Sequence, residues 1–362
     1  MVAIHQFIPS LASRDAIGSH TFQVQDLLRQ MGFESEIFAG DVEPGLAKRC
    51  LPYREFPKHR RAGECWLLYQ ASIGSPMVDF LMERPEPKLM NFHNITPAEL
   101  VEGWEPGLVD EVNLGRLQLV RLAPVVVQAI AVSAYNRREL EEVGYARTAV
   151  APLLVDLDAF DRAVDRATLA RLLAEKEAGG PDLLFVGRIT PHKAQHDLVK
   201  ALAAYRRLYH PGARLRLVGG EGSRSYRRAL GQFVGELGLE EAVDFAGSVT
   251  AGQLAAYYRA ADAFVCASDH EGFCVPLLEA MHHRLPVVAY GAAAVPDTVG
   301  GAGLVLADKS PLSVASAVHR VVSDPALRAR LGTEADRRLA DHSLTRTRQR
   351  FAEVIGTALQ AA

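Results

Sequence analysis

Cysteine is scarce in this sequence. Its 362 residues contain four, Cys50, Cys65, Cys266 and Cys274. They have no C-x-x-C spacing and no paired histidines beside them, so neither a structural zinc site nor a disulfide framework is indicated. They read as reduced thiols of a cytosolic protein. Long apolar runs are missing too. The longest, around residues 123 to 134, is well short of the roughly 20 residues that span a bilayer, and MVAIHQFIPS has no basic region ahead of its apolar run, so it reads as a first strand rather than a leader. Charge of one sign is not in excess: 40 basic against 43 acidic side chains leave a net −3, which excludes wholesale wrapping of nucleic acid. Low-complexity tracts and short-period repeats are absent. So is a G-x-G-x-x-G fingerprint in SLASRDAIGSH, which sets aside a plain NAD-dependent dehydrogenase.

What is there describes a folded protein. A hydrophobic share of 49% with 23% charged residues supplies sizeable cores. The length predicts about two domains at about 150 residues each. Residues 1–150 carry 15 basic and 19 acidic side chains, so the remainder is net +1 and better suited to an anionic ligand. Lys58, His59, Arg60 and Arg61, followed by Trp66 and Leu67, fit either a solvated loop or a lipid-facing patch. Peripheral contact at the inner face of a membrane therefore stays open beside a cytoplasmic location.

Two successive α/β units are expected. In the first, VAIHQFI reads as a strand, His20 to Met31 as a helix closed by Gly32, and ESEIF as the next strand. KLMNFHN is a strand running into Thr96-Pro97-Ala98-Glu99, which has the composition of a capped helix start. APVVVQAIAVS then leads into the helix NRRELEEVG with Ser133 as its cap. From residue 151 to about 180 the pattern breaks into linker-like composition. The rhythm restarts with LLFVG, RLRLVGG, VDFAG, AFVCAS and PVVAY, each separated from the next by a helical segment. That alternation predicts a doubly wound parallel sheet whose ligands bind beyond the carboxyl ends of its strands. The expected domains are 1–150, a linker over 151–180, 181–340, and a terminal amphipathic helix over 341–362 anchored by Leu344, Phe351 and Ile355. By sequence that helix fits either its own domain or the first one.

Polar residues and glycines collect at the strand ends of the second half. Arg188 to Lys193 follow LLFVG, Gly219 to Gly222 follow RLRLV, and Ser268 to Phe273 follow AFVCA. Arg188 and Lys193 suit a diphosphate, one as a planar fork and the other as a point charge. In EGFCVPLLEA, Gly272 permits close approach of a ligand, and the N–H groups of Phe273, Cys274 and Val275 lie at a helix start. Glu271 and Glu279, eight residues apart, can accept bonds from two sets of hydroxyls. From spacing alone they equally fit a surface pair.

EGFCVPLLEA resembles the E-x7-E motif of the family-4 retaining glycosyltransferases, whose GT-B fold is α/β, with two facing Rossmann-like doubly wound domains. VGRITPHK resembles that family's arginine-lysine loop, VGGEG its glycine turn, FAGSVT its base-contacting loop, and VPDTVGGAGLVL the segment after its donor site. Gly18 and His93 fall where the family has a glycine loop and a histidine near the donor sugar. The resemblance implies that Arg188 and Lys193 hold the donor diphosphate, Glu271 contacts sugar hydroxyls and Glu279 the ribose. It further implies that Gly219 lies in the glycine turn, Gly272 to Val275 meet the sugar or phosphate, Val249 lies near the base, and His93 sits by the anomeric centre. Two residues depart from the pattern: Cys274 and Ser19 stand where the family usually or often has glycine.

The expected activity is retaining transfer of a hexosyl unit from a UDP- or GDP-linked sugar to a hydroxyl acceptor such as a sugar, a lipid-linked sugar or a small natural product. Placed cations and a helix N-terminus stabilise a departing diphosphate without a metal, so no cofactor is expected and the nucleotide sugar is a substrate. Asp156-Leu157-Asp158 matches a D-x-D metal pattern but lies in the linker. By resemblance, retention proceeds by front-face attack. A covalent intermediate on Glu271 would require that carboxylate on the other face of the sugar. A GT-B epimerase, a phosphorylase and a non-catalytic sugar-nucleotide-binding protein share the architecture. They are told apart by turnover without acceptor, by a need for free phosphate, and by binding without turnover.

Overall fold

The computed structural model describes residues 2–12, 15–60, 63–162 and 164–360. Ser13, Arg14 and the Arg61 of the basic cluster lie outside the described residues. The chain folds into two compact units. One is built from residues 1–98, 107–155 and 342–362, the other from 99–106 and 156–341.

The first unit begins with β1 (Ala3–Leu11), α1 (Ala16–Gln30), β2 (Ile37–Val42), β3 (Leu51–Pro52), α2 (Phe56–His59) and β4 (Cys65–Ala71). It continues through α3 (Met77–Met82), β5 (Lys88–Phe92), α4 (Pro106–Leu122), β6 (Val126–Ala131), α5 (Ala134–Val143) and β7 (Thr148–Val150). Seven described strands form one sheet in the order β3-β2-β1-β4-β5-β6-β7, every pair parallel. Local chemistry sets the helix ends. The Asp15 carboxylate caps α1 by accepting from Gly18 N, and Ser133 caps α5 by accepting from Asn136 N. Gly144, at φ +100°, closes α5 in the left-handed region that glycine enters without a Cβ clash.

Two expectations fail in this unit. The Thr96-Pro97-Ala98-Glu99 segment starts no α-helix: only a 3-10 turn forms over Ala98–Leu100, and α4 begins at Pro106. Gly103, at φ +79°, breaks the path, and residues 99–106 leave to pack with the second unit. Trp66 and Leu67 belong to neither a solvated loop nor a lipid-facing patch. They are buried in β4, a strand covered along its whole length, where the Trp66 indole N–H donates to Glu64 Oε1 at 2.8 Å. A strand buried on both faces reads as a continuous apolar run, without the alternation that marks a half-exposed strand.

The second unit comprises α6 (Arg166–Ala178), β8 (Asp182–Val186), α7 (Gln195–Leu208), β9 (Arg214–Val218), α8 (Arg224–Glu236), β10 (Val243–Gly247) and α9 (Ala251–Ala260). It is completed by β11 (Ala263–Cys266), α10 (Val275–His282), β12 (Val287–Tyr290), α11 (Val295–Val299), β13 (Gly303–Leu306), α12 (Pro311–Ser323) and α13 (Pro325–Asp341). Its six described strands are all parallel, in the order β10-β9-β8-β11-β12-β13. The order reverses between β8 and β11, which opens a crevice at their carboxyl ends. The final helix, α14 (Leu344–Gln360), belongs to the first unit: Phe351 and Ile355 are fully buried among Ile4, Val24, Leu28 and Trp66. Among the described residues no helix is long and apolar enough to cross a membrane.

Candidate active site

The crevice of the second unit gathers the polar strand ends. Ile189 N donates to Gly220 O at 2.9 Å, and Gly222 N and Ser223 N donate back to Ile189 O at 3.2 and 3.0 Å, so the glycine turn is bonded onto the arginine-lysine loop. Glycine is required at this junction. A Cβ on Gly219, which sits at φ +148°, would lie 2.1 Å from Gly187 O, and one on Gly222 would lie 2.4 Å from Thr190 Cγ2. Across the crevice, Asp269 N donates to His192 O at 2.8 Å, tying the loop after β11 to the loop after β8.

Lys193 and Glu271 are brought together by that tie. Lys193 Nζ lies 2.7 Å from Glu271 Oε2, and both side chains are largely covered. Burial pulls the Lys193 ammonium down, but the Glu271 carboxylate and the nearby thiols of Cys274 and Cys266 outweigh it and leave it above the ordinary lysine value. One of its N–H donors goes to Glu271, leaving two for a ligand. Glu271 Oε1 has no protein donor among the described residues. Arg188 is exposed at the mouth of the loop and forms no ion pair among the described residues.

Cys274 occupies the left-handed region, at φ +68°, just before α10. A non-glycine residue there costs about 1 kcal/mol or more. The Phe273 carbonyl accepts from Thr298 Oγ1 at 2.5 Å, which holds the loop as it enters α10, whose first N–H groups have no intrahelical acceptor. Cys266, Glu271 and Cys274 each offer a ligand atom, all within 4.8 Å of one another, and the Lys193 ammonium supplies the cation beside this trio. The hydrogen bond between the two free thiols holds Cys266 below the ordinary thiol value and, together with burial, lifts Cys274 well above it.

Glu279 sits one helix face further on, buried, and accepts from Tyr258 Oη at 2.6 Å. Burial raises its carboxyl to about 7, against the opposing pull of the Tyr258 hydrogen bond. Val249 is half-buried in the loop after β10, beside Thr250, whose capping box with Gln253 starts α9. Sequence reasoning missed Tyr258 and Cys266 because each reads as a core residue of its element. Trp104 stands apart from the first unit's site: it packs edge-on against Tyr226 of the second unit, with ring centroids 5.2 Å apart.

In the first unit, Gly18 allows the start of α1 to approach the chain after β1, since a Cβ would meet Ala12 O at 2.8 Å. Ser19 follows it, exposed on the same turn. His93 is buried just beyond β5, its ring 5.3 Å from that of His20. Burial, then the neighbouring His20, keeps His93 well below the ordinary histidine value, and burial lowers His20 to about 3, so both rings are neutral at physiological pH. Around them lies a polar layer that the sequence reading did not identify. The sheet face that is apolar at Ile4, Leu68 and Leu89 turns polar two residues on, at Gln6, Gln70 and Asn91, all fully buried. Gln6 Nε2 donates to Thr21 O at 3.0 Å and Gln70 Nε2 to Gln6 Oε1 at 2.8 Å, while the Asn91 amide lies 3.1 Å from Gln70 Oε1 and 2.6 Å from Nε2 of His20, whose Nδ1 accepts from Leu154 N at 3.0 Å. His93 Nε2 lies 2.7 Å from the same Gln70 oxygen.

Elsewhere, a cavity of about 250 Å³ opens at the amino ends of β9 and β10, at the far end of those strands from the crevice. Its Arg171, Arg214 and Arg216 are already paired with Glu175, Asp182 and Asp244, which leaves no unmatched cation there for an anionic ligand, and Glu240 and Glu241 complete the lining.

Residues 174–338 match the family model described as glycosyl transferases group 1. A D-inositol 3-phosphate glycosyltransferase of Kineococcus radiotolerans is 35% identical over 281 residues, covering 73% of this chain and 63% of that protein. Its counterpart from Nocardiopsis dassonvillei is 31% identical over 300 residues, 79% of this chain and 67% of that protein. The chain thus spans about two thirds of the length of these relatives. Among solved structures, HepE of Anabaena in complex with UDP and glucose aligns with a TM-score of 0.75 at 18% identity, over 97% of this chain and 99% of that one, a likeness of GT-B fold. With two Rossmann-like units, the crevice described above and this degree of identity, the chain belongs to the group 1 glycosyl transferases.

Proposed function

We propose that the protein is a retaining, metal-independent glycosyltransferase that moves a hexosyl unit from a nucleotide-diphosphate sugar, UDP-linked in the first instance, to a hydroxyl acceptor. The observation that carries this reading is the Lys193–Glu271 pair at the switch point of the second unit, with Arg188 at its mouth and the start of α10 beside it. A UDP donor is supported by the UDP and glucose bound to HepE.

The chemistry follows from charge. Loss of a nucleoside diphosphate builds negative charge on phosphate oxygens, and Lys193, Arg188 and the first N–H groups of α10 are fixed positive ends for it. Glu271 holds the ammonium in place, while its free oxygen accepts from sugar hydroxyls. Glu279, as a carboxylate, accepts from the ribose. Gly219 keeps the turn low enough for the diphosphate to approach backbone. The first unit supplies the acceptor side, with neutral His93 as a hydrogen-bond acceptor.

Thermal-shift measurements with UDP, GDP, ADP and their sugar conjugates test the donor, because a ligand that binds only the folded state raises its stability by mass action. UDP compounds are expected to give the larger shift, and no shift with any nucleotide would overturn the reading. Lys193→Ala and Glu271→Ala are each expected to abolish transfer while circular dichroism shows the fold retained. Normal turnover in either variant counts against the assignment.

A further inference from the structure

We propose that Gln6 and Gln70 are positioning residues: through a one-way chain of hydrogen bonds they fix His93 in the Nε2–H tautomer and leave its Nδ1 lone pair for a hydroxyl donor.

The direction of the chain is set by its first member. A backbone carbonyl can only accept, so Thr21 O demands the amide nitrogen of Gln6, at 3.0 Å. That orientation turns Gln6 Oε1 outward, where it can only accept, and it takes the amide nitrogen of Gln70 at 2.8 Å. Gln70 must then present Oε1 to His93, 2.7 Å away, and again an oxygen with no hydrogen can only accept. The His93 Nε2 therefore carries the ring proton, and Nδ1 is left as an acceptor. Gln6 and Gln70 are fully buried, so water does not scramble the order.

The other end of the ring is unfinished. His93 Nδ1 is buried and has no hydrogen-bond partner among the described residues. A buried acceptor left open costs about 1–3 kcal/mol, which a donor hydroxyl recovers. The chemistry is selective: an unprotonated nitrogen takes O–H or N–H and rejects phosphate or carboxylate oxygens. The ring stays neutral because it is buried beside His20, so it does not switch to a donor at moderately acid pH. The tautomer itself stands on this geometry alone. Only its consequence for turnover rests on the glycosyltransferase reading.

Nitrogen-15 NMR of histidine-labelled protein reads the tautomer directly, with no substrate present. The wild type is expected to show His93 as a single Nε2–H species. Gln6→Met, which touches neither ring nitrogen, frees the Gln70 amide to turn over and is expected to move His93 largely to Nδ1–H. Gln70→Glu keeps an accepting oxygen against Nε2 and is expected to retain the wild-type tautomer. If nine in ten molecules hold the wrong tautomer, the apparent affinity of Gln6→Met for the substrate whose hydroxyl Nδ1 accepts falls about tenfold while kcat at saturation is unchanged. An Nδ1–H wild type, or a Gln6→Met protein that folds with the tautomer unaltered, overturns the proposal. A shifted tautomer with no transfer activity in any form would leave the relay standing and remove the glycosyltransferase reading instead.

Discussion

Glu279 shows how much a single burial decides. Its carboxyl is raised to about 7 from an ordinary 4.5 because the side chain is taken out of water, and the Tyr258 hydroxyl only partly compensates. The folded state therefore binds the proton more tightly than the unfolded chain does. Its stabilising contribution is complete below pH 4.5 and is lost as pH rises through about 7. Glu279→Gln, neutral at every pH, is expected to melt at the wild-type temperature near pH 4 and above it near pH 8. Parallel melting curves across that range would refute the shift. His20 has the opposite sign. Burial lowers it to about 3 from 6.5, so its contribution is present above 6.5 and lost as pH falls toward 3. Its NMR signal is expected to show no protonation at pH 5, and a titration midpoint near 6.5 would contradict the burial.

At the scale of elements, the arginine-lysine loop and the glycine turn act as one piece. Three backbone hydrogen bonds join Ile189 to Gly220, Gly222 and Ser223, and the absence of side chains at Gly219 and Gly222 lets the two loops touch. Gly219→Ala places a Cβ against the Gly187 carbonyl at a φ that disfavours L-residues, so the loops must part. The expected cost is on the order of 3 kcal/mol in denaturant melts, with a weakened thermal shift on adding UDP. A variant with wild-type stability would show that the turn yields elsewhere. The polar layer of Gln6, Gln70 and Asn91 is equally a property of elements: adjacent parallel strands put side chains of one parity side by side, so three residues far apart in sequence become a single network.

At the scale of the whole molecule, the chain does not divide at one point. The first unit takes its last helix from residues 342–362, and the second takes residues 99–106 from within the N-terminal half. Phe351 is fully buried in the core that holds Ile4, Leu28 and Trp66. Phe351→Ala is expected to destabilise the first unit by about 3–5 kcal/mol. Trp66 fluorescence, isolated by Trp104→Phe, would report the earlier transition. An unchanged Trp66 transition would mean that α14 contributes little to that core.

The sequence by itself determined the parallel α/β character of both halves, most strands of the second sheet, and the residue types at its carboxyl ends. These follow from local causes: apolar runs, glycine and proline punctuation, and side-chain caps such as Ser133 act over a few residues. The arginine-lysine loop, the glycine turn and the α10 motif were legible for the same reason, since each lies in one short segment. Tertiary structure alone decided that Trp66 is core rather than surface, that Thr96 starts no helix, and that α14 joins the first unit. It alone placed Lys193 against Glu271, 78 residues away, and threaded Gln6 and Gln70 to His93. Burial, hydrogen-bond direction and proton affinity depend on neighbours brought in from distant segments, and local sequence carries no record of them.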